Sequence, residues 1–169
     1  MINKQERIEK ILWENPWIEQ LYQHNLKRHP RNRKVPEGMS DKQALDLVKK
    51  YKDEYNYELP DEYLTFLKLM NGYKDKGFEV FSDGPRVYRD DKAKVFNLEF
   101  GHYETEYDPD GEVYSGSSYF YDLIKGEYCH FCFYYEKVDV VFDSFIKLLF
   151  HMFGCENLYP GVIIKREGR

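Results

Sequence analysis

The hydrophobic period of this chain changes after Gly72 and changes back near Asp143, and that double switch limits the folds open to it. Before Gly72 apolar residues recur at helical intervals; from Gly77 to Phe142 they alternate or run in aromatic blocks; from Asp143 helical spacing returns. Gln5 to about Trp13 places Ile8, Ile11 and Leu12 on one side of a helix. Asn15-Pro16 then reads as an N-cap with proline at the first helical position, opening a second helix with Ile18, Leu21 and Tyr22 on one side.

A linker with Pro30, Pro36 and Gly38 follows, and it is the one good candidate for an internal boundary, separating residues 1–39 from 40–169. Ser40 or Asp41 caps a third helix whose apolar face is read as Ala44, Leu45, Val48 and Tyr51, with Lys42, Asp46, Lys49 and Lys50 outside. Tyr57-Glu58-Leu59 is a brief extended link, because a residue before proline is driven from the helical region. Pro60-Asp61-Glu62 opens a fourth helix with Tyr63, Leu64, Phe66, Leu67 and Met70 as its stripe, and Asn71-Gly72 supplies a left-handed stop.

Strands are expected at Gly77–Phe81 and Ala93–Phe100, where Phe96, Leu98 and Phe100 alternate with polar residues. Asp108-Pro109-Asp110-Gly111 is a turn signal. Ser117–Leu123 and Glu127–Glu136 form an aromatic hairpin about Lys125-Gly126, and Lys137–Phe142 adds a further strand. A last helix starts near Asp143 or Ser144 and runs to Gly154. Helices, then antiparallel strands, then one helix predict an α+β fold: a single domain with a central, mostly antiparallel sheet flanked by helices, plus two extra N-terminal helices.

The 169 residues, 42% of them apolar, suffice for one compact core. Sixteen Tyr and twelve Phe favour a sheet-rich core or a recognition surface, since rings supply much contact area for little entropy lost. The polar opening Met1-Ile2-Asn3-Lys4-Gln5-Glu6 lacks the pattern of a secretory signal, and the longest apolar stretch, Val138–Phe153, is broken by Asp139, Asp143, Lys147 and His151. No membrane association is therefore expected. Three Cys, without the spacing of a disulfide scaffold, suit a reducing compartment and a cytosolic location.

The segment from Tyr57 through Leu59-Pro60 and Tyr63-Leu64-Thr65-Phe66-Leu67 to Asn71-Gly72 resembles the SUKH superfamily, in which a leucine-proline pair leads into a helix ending in asparagine-glycine. Asp41–Tyr51, Phe78–Phe142 and Asp143-Ser144-Phe145 stand where that family has a preceding amphipathic helix, a strand block and a late helix. The likeness covers roughly residues 40–153; the first 38 or so residues are outside the family core, and the tryptophan or glycine-rich signature of some members is missing after Gly72. Many bacterial members are immunity proteins that block toxins, often nucleases, and others are regulators or scaffolds, including a fungal regulator of cell-wall synthesis. The resemblance thus implies a cytosolic inhibitor of a secreted toxin domain, with an intracellular regulatory scaffold as the alternative.

Charge points the same way. The net charge of −5 is uneven: Lys27 to Lys34 form a basic island without an acid, while Glu99, Glu104, Glu106, Asp108, Asp110 and Glu112 have no Lys or Arg among them. A carboxylate surface repels nucleic acid and attracts a cationic protein. The expected partner is therefore a cationic toxin domain rather than nucleic acid. Its expected contacts are Tyr103, Glu104, Glu106, Tyr107, Asp108, Asp110, Glu112 and Tyr114, tyrosines beside charges being the usual make-up of a binding hot spot. A solvated loop between strands is the plain alternative for the same residues.

Reactive chemistry finds little support. Glu106-x-Asp108-x-Asp110-Gly111 imitates the start of a calcium loop, but the twelfth position is Ser117 rather than a bidentate glutamate. Cys129 and Cys132 are three apart in an aromatic run that favours a strand, so their thiols are expected on opposite faces. His151 and Cys155 would join them at a zinc only if the last helix covered that strand. Ser115-Gly116-Ser117 is not framed as a nucleophile turn, and no triad, phosphate-loop or dinucleotide pattern is present. No catalytic residue, metal or cofactor is expected. The basic island is dense enough in charge to bind nucleic acid or an anionic membrane, but with no aromatic interleaved to stack bases the preferred reading is a solvated linker, and Trp13 and Trp17 read as packing residues.

Overall fold

A computed structural model describes residues 2–26, 36–155 and 165–166, with the side chains of 24, 25, 114, 165 and 166 left aside. The basic island at residues 27–34 lies outside the described residues. The chain divides into two compact units, residues 1–73 and 74–169.

The first unit is helical. Helix α1 (Lys4–Glu14) opens with a reciprocal cap: the Asn3 side chain accepts from the Glu6 N–H, and the Asn3 N–H donates back to the Glu6 carboxylate. Pro16 occupies the first position of α2 (Pro16–Leu21), as expected, but Asn15 makes no side-chain cap there; its amide donates backwards to the Ile11 carbonyl and closes α1 instead. Helix α2 continues into a π-helical turn at Tyr22–Leu26. Ser40 caps α3 (Asp41–Tyr55) through a second reciprocal box with Gln43. The buried face of α3 is Ala44, Leu47 and Tyr51, whereas Leu45, expected inside, is 69% exposed. The stripe is rotated by one position, since i, i+3, i+7 is as good a helical row as i, i+4, i+7.

Helix α4 (Asp61–Leu69) buries Tyr63, Phe66, Leu67 and Leu69. It stops before the expected asparagine-glycine pair, because Met70 turns into an extended conformation and fixes its N–H on the Phe66 carbonyl. The segment leading to α3 is stitched to α4: Met39 donates to the Leu67 carbonyl and Asn71 to the Glu37 carbonyl. Arg7 reaches the Gly38 and Met39 carbonyls from α1. A surface ion pair joins Lys68 to Asp41 at 2.9 Å, and this partner holds the Asp41 carboxyl below its ordinary range.

The second unit is built on an antiparallel sheet. Its strands are β1 (Tyr73–Asp75), β2 (Phe78–Val80), β3 (Arg86–Asp90), β4 (Val95–Tyr107), β5 (Val113–Asp122), β6 (Glu127–Cys132), β7 (Lys137–Phe142) and β8 (Lys165–Arg166). Their order is β1-β2-β4-β5-β6-β7-β8, with β3 paired beside β2 on the same long β4. Helix α5 (Phe145–Met152) covers one face. Phe100 meets Phe145 at 4.9 Å, and His151 meets Phe142 and His130 at 5.0 and 5.1 Å. Burying Phe145, Leu148, Leu149, Phe150 and Met152 stabilises this layer by roughly 1.5–3 kcal/mol per side chain. The fold is α+β, as the order of periods predicts, and among the described residues no helix is long and apolar enough to cross a membrane.

Candidate functional site

Strand β4 runs seven residues past the expected Phe100, so Glu104 and Glu106 belong to a strand and only residues 108–112 form the turn to β5. The acidic segment is therefore the distal half of a β-hairpin rather than a loop. Three register shifts along β4 and β5 set Glu106 opposite Ser115 and Tyr107 opposite Val113. Such bulges bend a strand pair and re-aim its side chains.

The eight candidate contacts divide by what they touch. Tyr103 is 41% exposed, with its ring set against Phe78 at 4.9 Å and Tyr119 at 6.4 Å; burial, and then the Asp75 carboxylate, raise its phenol above the ordinary value. Glu104 is met by Lys74 at 3.7 Å, a cation that β1 brings from outside the acidic run. Glu106 accepts from the Ser115 hydroxyl at 3.0 Å, and Tyr107 stands exposed. Asp108 is turned inward, where Oδ1 accepts the Asp110 and Glu112 N–H groups at 3.0 and 2.8 Å and builds the turn. Asp110 and Glu112 are exposed beside it. Tyr114 is placed in β5 by its backbone, and its side chain lies outside the described part.

Strand β6 ends at Cys132, four residues before the expected Glu136, and residues 133–136 form a turn. That turn stands beside the acidic hairpin, because the Phe133 N–H donates to the Gly116 carbonyl at 3.1 Å. It presents Phe133, Tyr134 and Tyr135 to solvent. Tyr134 and Tyr135 meet edge to face at 5.0 Å, and Lys137 lies 5.9 Å from the Tyr135 ring. These rings were absent from the expected contacts. Phe131 to Glu136 contains no Gly, Pro or Asn to signal a turn, and the chain turns instead by placing Glu136 at φ 52.

The two faces of the sheet differ. Under α5 the register aligns Tyr119, His130 and Val140. One extra residue in β7, Asp139, falls between Val140 opposite His130 and Val138 opposite Phe131. This bulge brings Oδ1 of Asp139 to 2.6 Å from Nδ1 of His130. The His130 ring stacks on Tyr119 at 4.8 Å. Burial is the main cause holding His130 below the ordinary histidine value, with His151 adding to it and Asp139 opposing.

On the other face Glu99, Ser118, Phe120, Phe131 and Val138 line a cavity of about 640 Å³, with Lys94 and Lys125 at the end where β3 turns into β4 and β5 into β6. The Ser118 hydroxyl donates to Oε1 of Glu99 at 2.6 Å.

Cys129 pairs with Phe120 and Cys132 with Ser117, positions of opposite parity on β6, so the two thiols do face apart. The last helix does lie over β6, through His151 on His130, but among the described residues no group of three or more His, Cys, Asp or Glu side chains is arranged to hold a metal ion. Comparison of the chain with protein-family models, with curated proteins and with solved structures finds no match.

Proposed function

We propose that this protein is a binding module that neutralises a cationic toxin domain by covering its active surface. The observation that carries the reading is the adjacency at one end of the sheet. Carboxylates of Glu106, Asp110 and Glu112 and the ring of Tyr107 stand on a hydrogen-bonded hairpin, next to a turn that exposes Phe133, Tyr134 and Tyr135. Aromatic anchors with a polar, charged border are the composition of binding hot spots, and a carboxylate field steers a cationic partner to them. A nuclease must hold phosphate with Lys and Arg, so a surface of this kind competes for the same charges. The likeness of residues 40–153 to the SUKH superfamily, whose bacterial members include toxin inhibitors, supports the same reading.

The test is co-expression with the product of a toxin-like reading frame beside this gene. Growth should be rescued by the wild-type chain. Reversing Asp110 and Glu112 to lysine should slow association about tenfold or more at low salt and leave dissociation nearly unchanged, the gap closing as salt screens the field. Replacing Tyr134 and Tyr135 by alanine should instead speed dissociation. Failure of every neighbouring toxin-like product to bind would defeat the proposal.

A further inference from the structure

The cavity on the sheet face opposite α5 has a particular chemistry. Its floor, around Phe120, Phe131 and Val138, is apolar, and two half-buried carboxylates line it: Glu99 on the floor, and Asp122 at the far end, where Oδ1 accepts the Ile124 and Lys125 N–H groups at 2.8 and 2.9 Å. Ser118 fixes Oε1 of Glu99, and Oε2 makes no hydrogen bond or ion pair among the described residues. The cation directly across the strand is Arg86, but its guanidinium is committed elsewhere, 3.6 Å over the Phe81 ring and 3.5 Å from Glu79. Glu99 is thus an oriented anion beside aromatic rings, with one oxygen to offer.

We infer that this cavity accepts a single arginine side chain from the protein partner, its guanidinium on Glu99 and its planar face on the rings of Phe120 and Phe131. The inference rests on the binding-module reading and names what one part of that partner presents. Guanidinium is the fitting group because it hydrogen-bonds a carboxylate edge while stacking on aromatic faces, which a strongly hydrated ammonium does poorly. The volume falls within the range of about 300–1,000 Å³ typical of ligand pockets, ample for one side chain and the backbone that carries it. Lys94 and Lys125 stand at the far end against the single carboxylate of Asp122, which leaves that end net positive and so favours an isolated arginine among apolar neighbours over a polybasic run.

The test is titration of the isotope-labelled full chain, followed by amide NMR, with three capped peptides: acetyl-Phe-Arg-Leu-amide, its citrulline counterpart, and acetyl-Arg-Arg-Arg-amide. The arginine peptide should shift resonances of residues 97–99, 118–120 and 131. Citrulline, which keeps the shape and loses the charge, should bind about tenfold or more weakly, and the tri-arginine peptide more weakly than the single arginine. Glu99→Gln keeps an acceptor for Ser118 and should abolish the preference for arginine over citrulline, while Asp46→Asn on the exposed side of α3 should leave it unchanged. Equal binding of the arginine and citrulline peptides, or shifts confined to the hairpin, would overturn the inference. If the peptide fails while hairpin charge reversal still slows capture of the toxin domain, the cavity assignment alone falls; if the peptide binds and no toxin does, the functional reading falls and the cavity stands.

Discussion

Replacing Gly116 by alanine tests how the acidic hairpin and the aromatic turn are held together. Gly116 sits in β5 at φ 137, a region that residues with a side chain enter at a cost of about 1–3 kcal/mol. A methyl group there would lie 2.9 Å from the Thr105 Cα, 3.0 Å from its Oγ1 and 3.3 Å from Cδ2 of Phe133. The first contact is with backbone and cannot swing away, so relief requires β4 to move, at about 1–3 kcal/mol for a small overpacking. The two contributions total about 2–6 kcal/mol, and at about 2–4 °C per kcal/mol for a chain of this size the midpoint should fall by about 4–24 °C.

Gly111 in the same hairpin is the control. It too has positive φ, 83, but a methyl group there would meet nothing within 4 Å. Gly111→Ala should lose only the conformational part, about 1–2 kcal/mol. Guanidinium denaturation of both variants, read by far-ultraviolet dichroism and by tyrosine fluorescence, separates the two cases. If Gly116→Ala cost no more than Gly111→Ala, the close approach of β5 to Thr105 and Phe133 would be refuted, and with it the adjacency on which the proposed interface depends.

Other outcomes follow from the core. Phe100→Ala, which removes a fully buried ring against Phe145, should cost about 3–5 kcal/mol in urea unfolding. Leu47→Ala should cost about 2–5 kcal/mol and Leu45→Ala no more than about 0.5, a comparison that reports directly which face of α3 is inward. For pH, His130 has a folded value depressed below 6.5, so the neutral ring is favoured in the native state. As pH falls from about 6.5 toward that lower value the unfolded chain binds the proton first and stability is lost; below the folded value this group contributes no further loss. His130→Gln should remove this part of the pH dependence, measured as the difference between variant and wild-type urea midpoints across about pH 5–7.5.

The order of elements was legible because each is written in short-range terms: capping residues at Ser40, proline at Pro16 and Pro60, the hairpin turn at Lys125-Gly126, and alternation along residues 96–100. What escaped depends on partners distant in sequence. Strand β3, Arg86–Asp90, has no apolar alternation because four of its five residues are exposed, and it exists as a strand by pairing with β4. The exposure of Leu45 is likewise decided by what lies beside α3 and not by its periodicity. Glu104 reads as an uncompensated acid along the chain, yet Lys74, thirty residues earlier, meets it in space. The cavity on the face opposite α5 could not be foreseen at all, since it is assembled from β4, β5, β6 and β7 at once.

Those long-range contacts also change which acids can act on a partner. Asp108 spends Oδ1 on two backbone N–H groups, so removing its carboxylate would unmake the turn before it altered any field. Glu104 is already paired with Lys74, and a partner's cation there would have to displace it for little gain, as exposed ion pairs are worth about 0–1 kcal/mol. Asp110 and Glu112 remain exposed at the tip, and Glu106 accepts from the Ser115 hydroxyl. Steering should therefore come from the tip, while the lasting contact comes from Tyr107 and the rings of the neighbouring turn. Substituting tip acids and turn rings separately should move different rate constants, and a hairpin that were merely solvated would move neither.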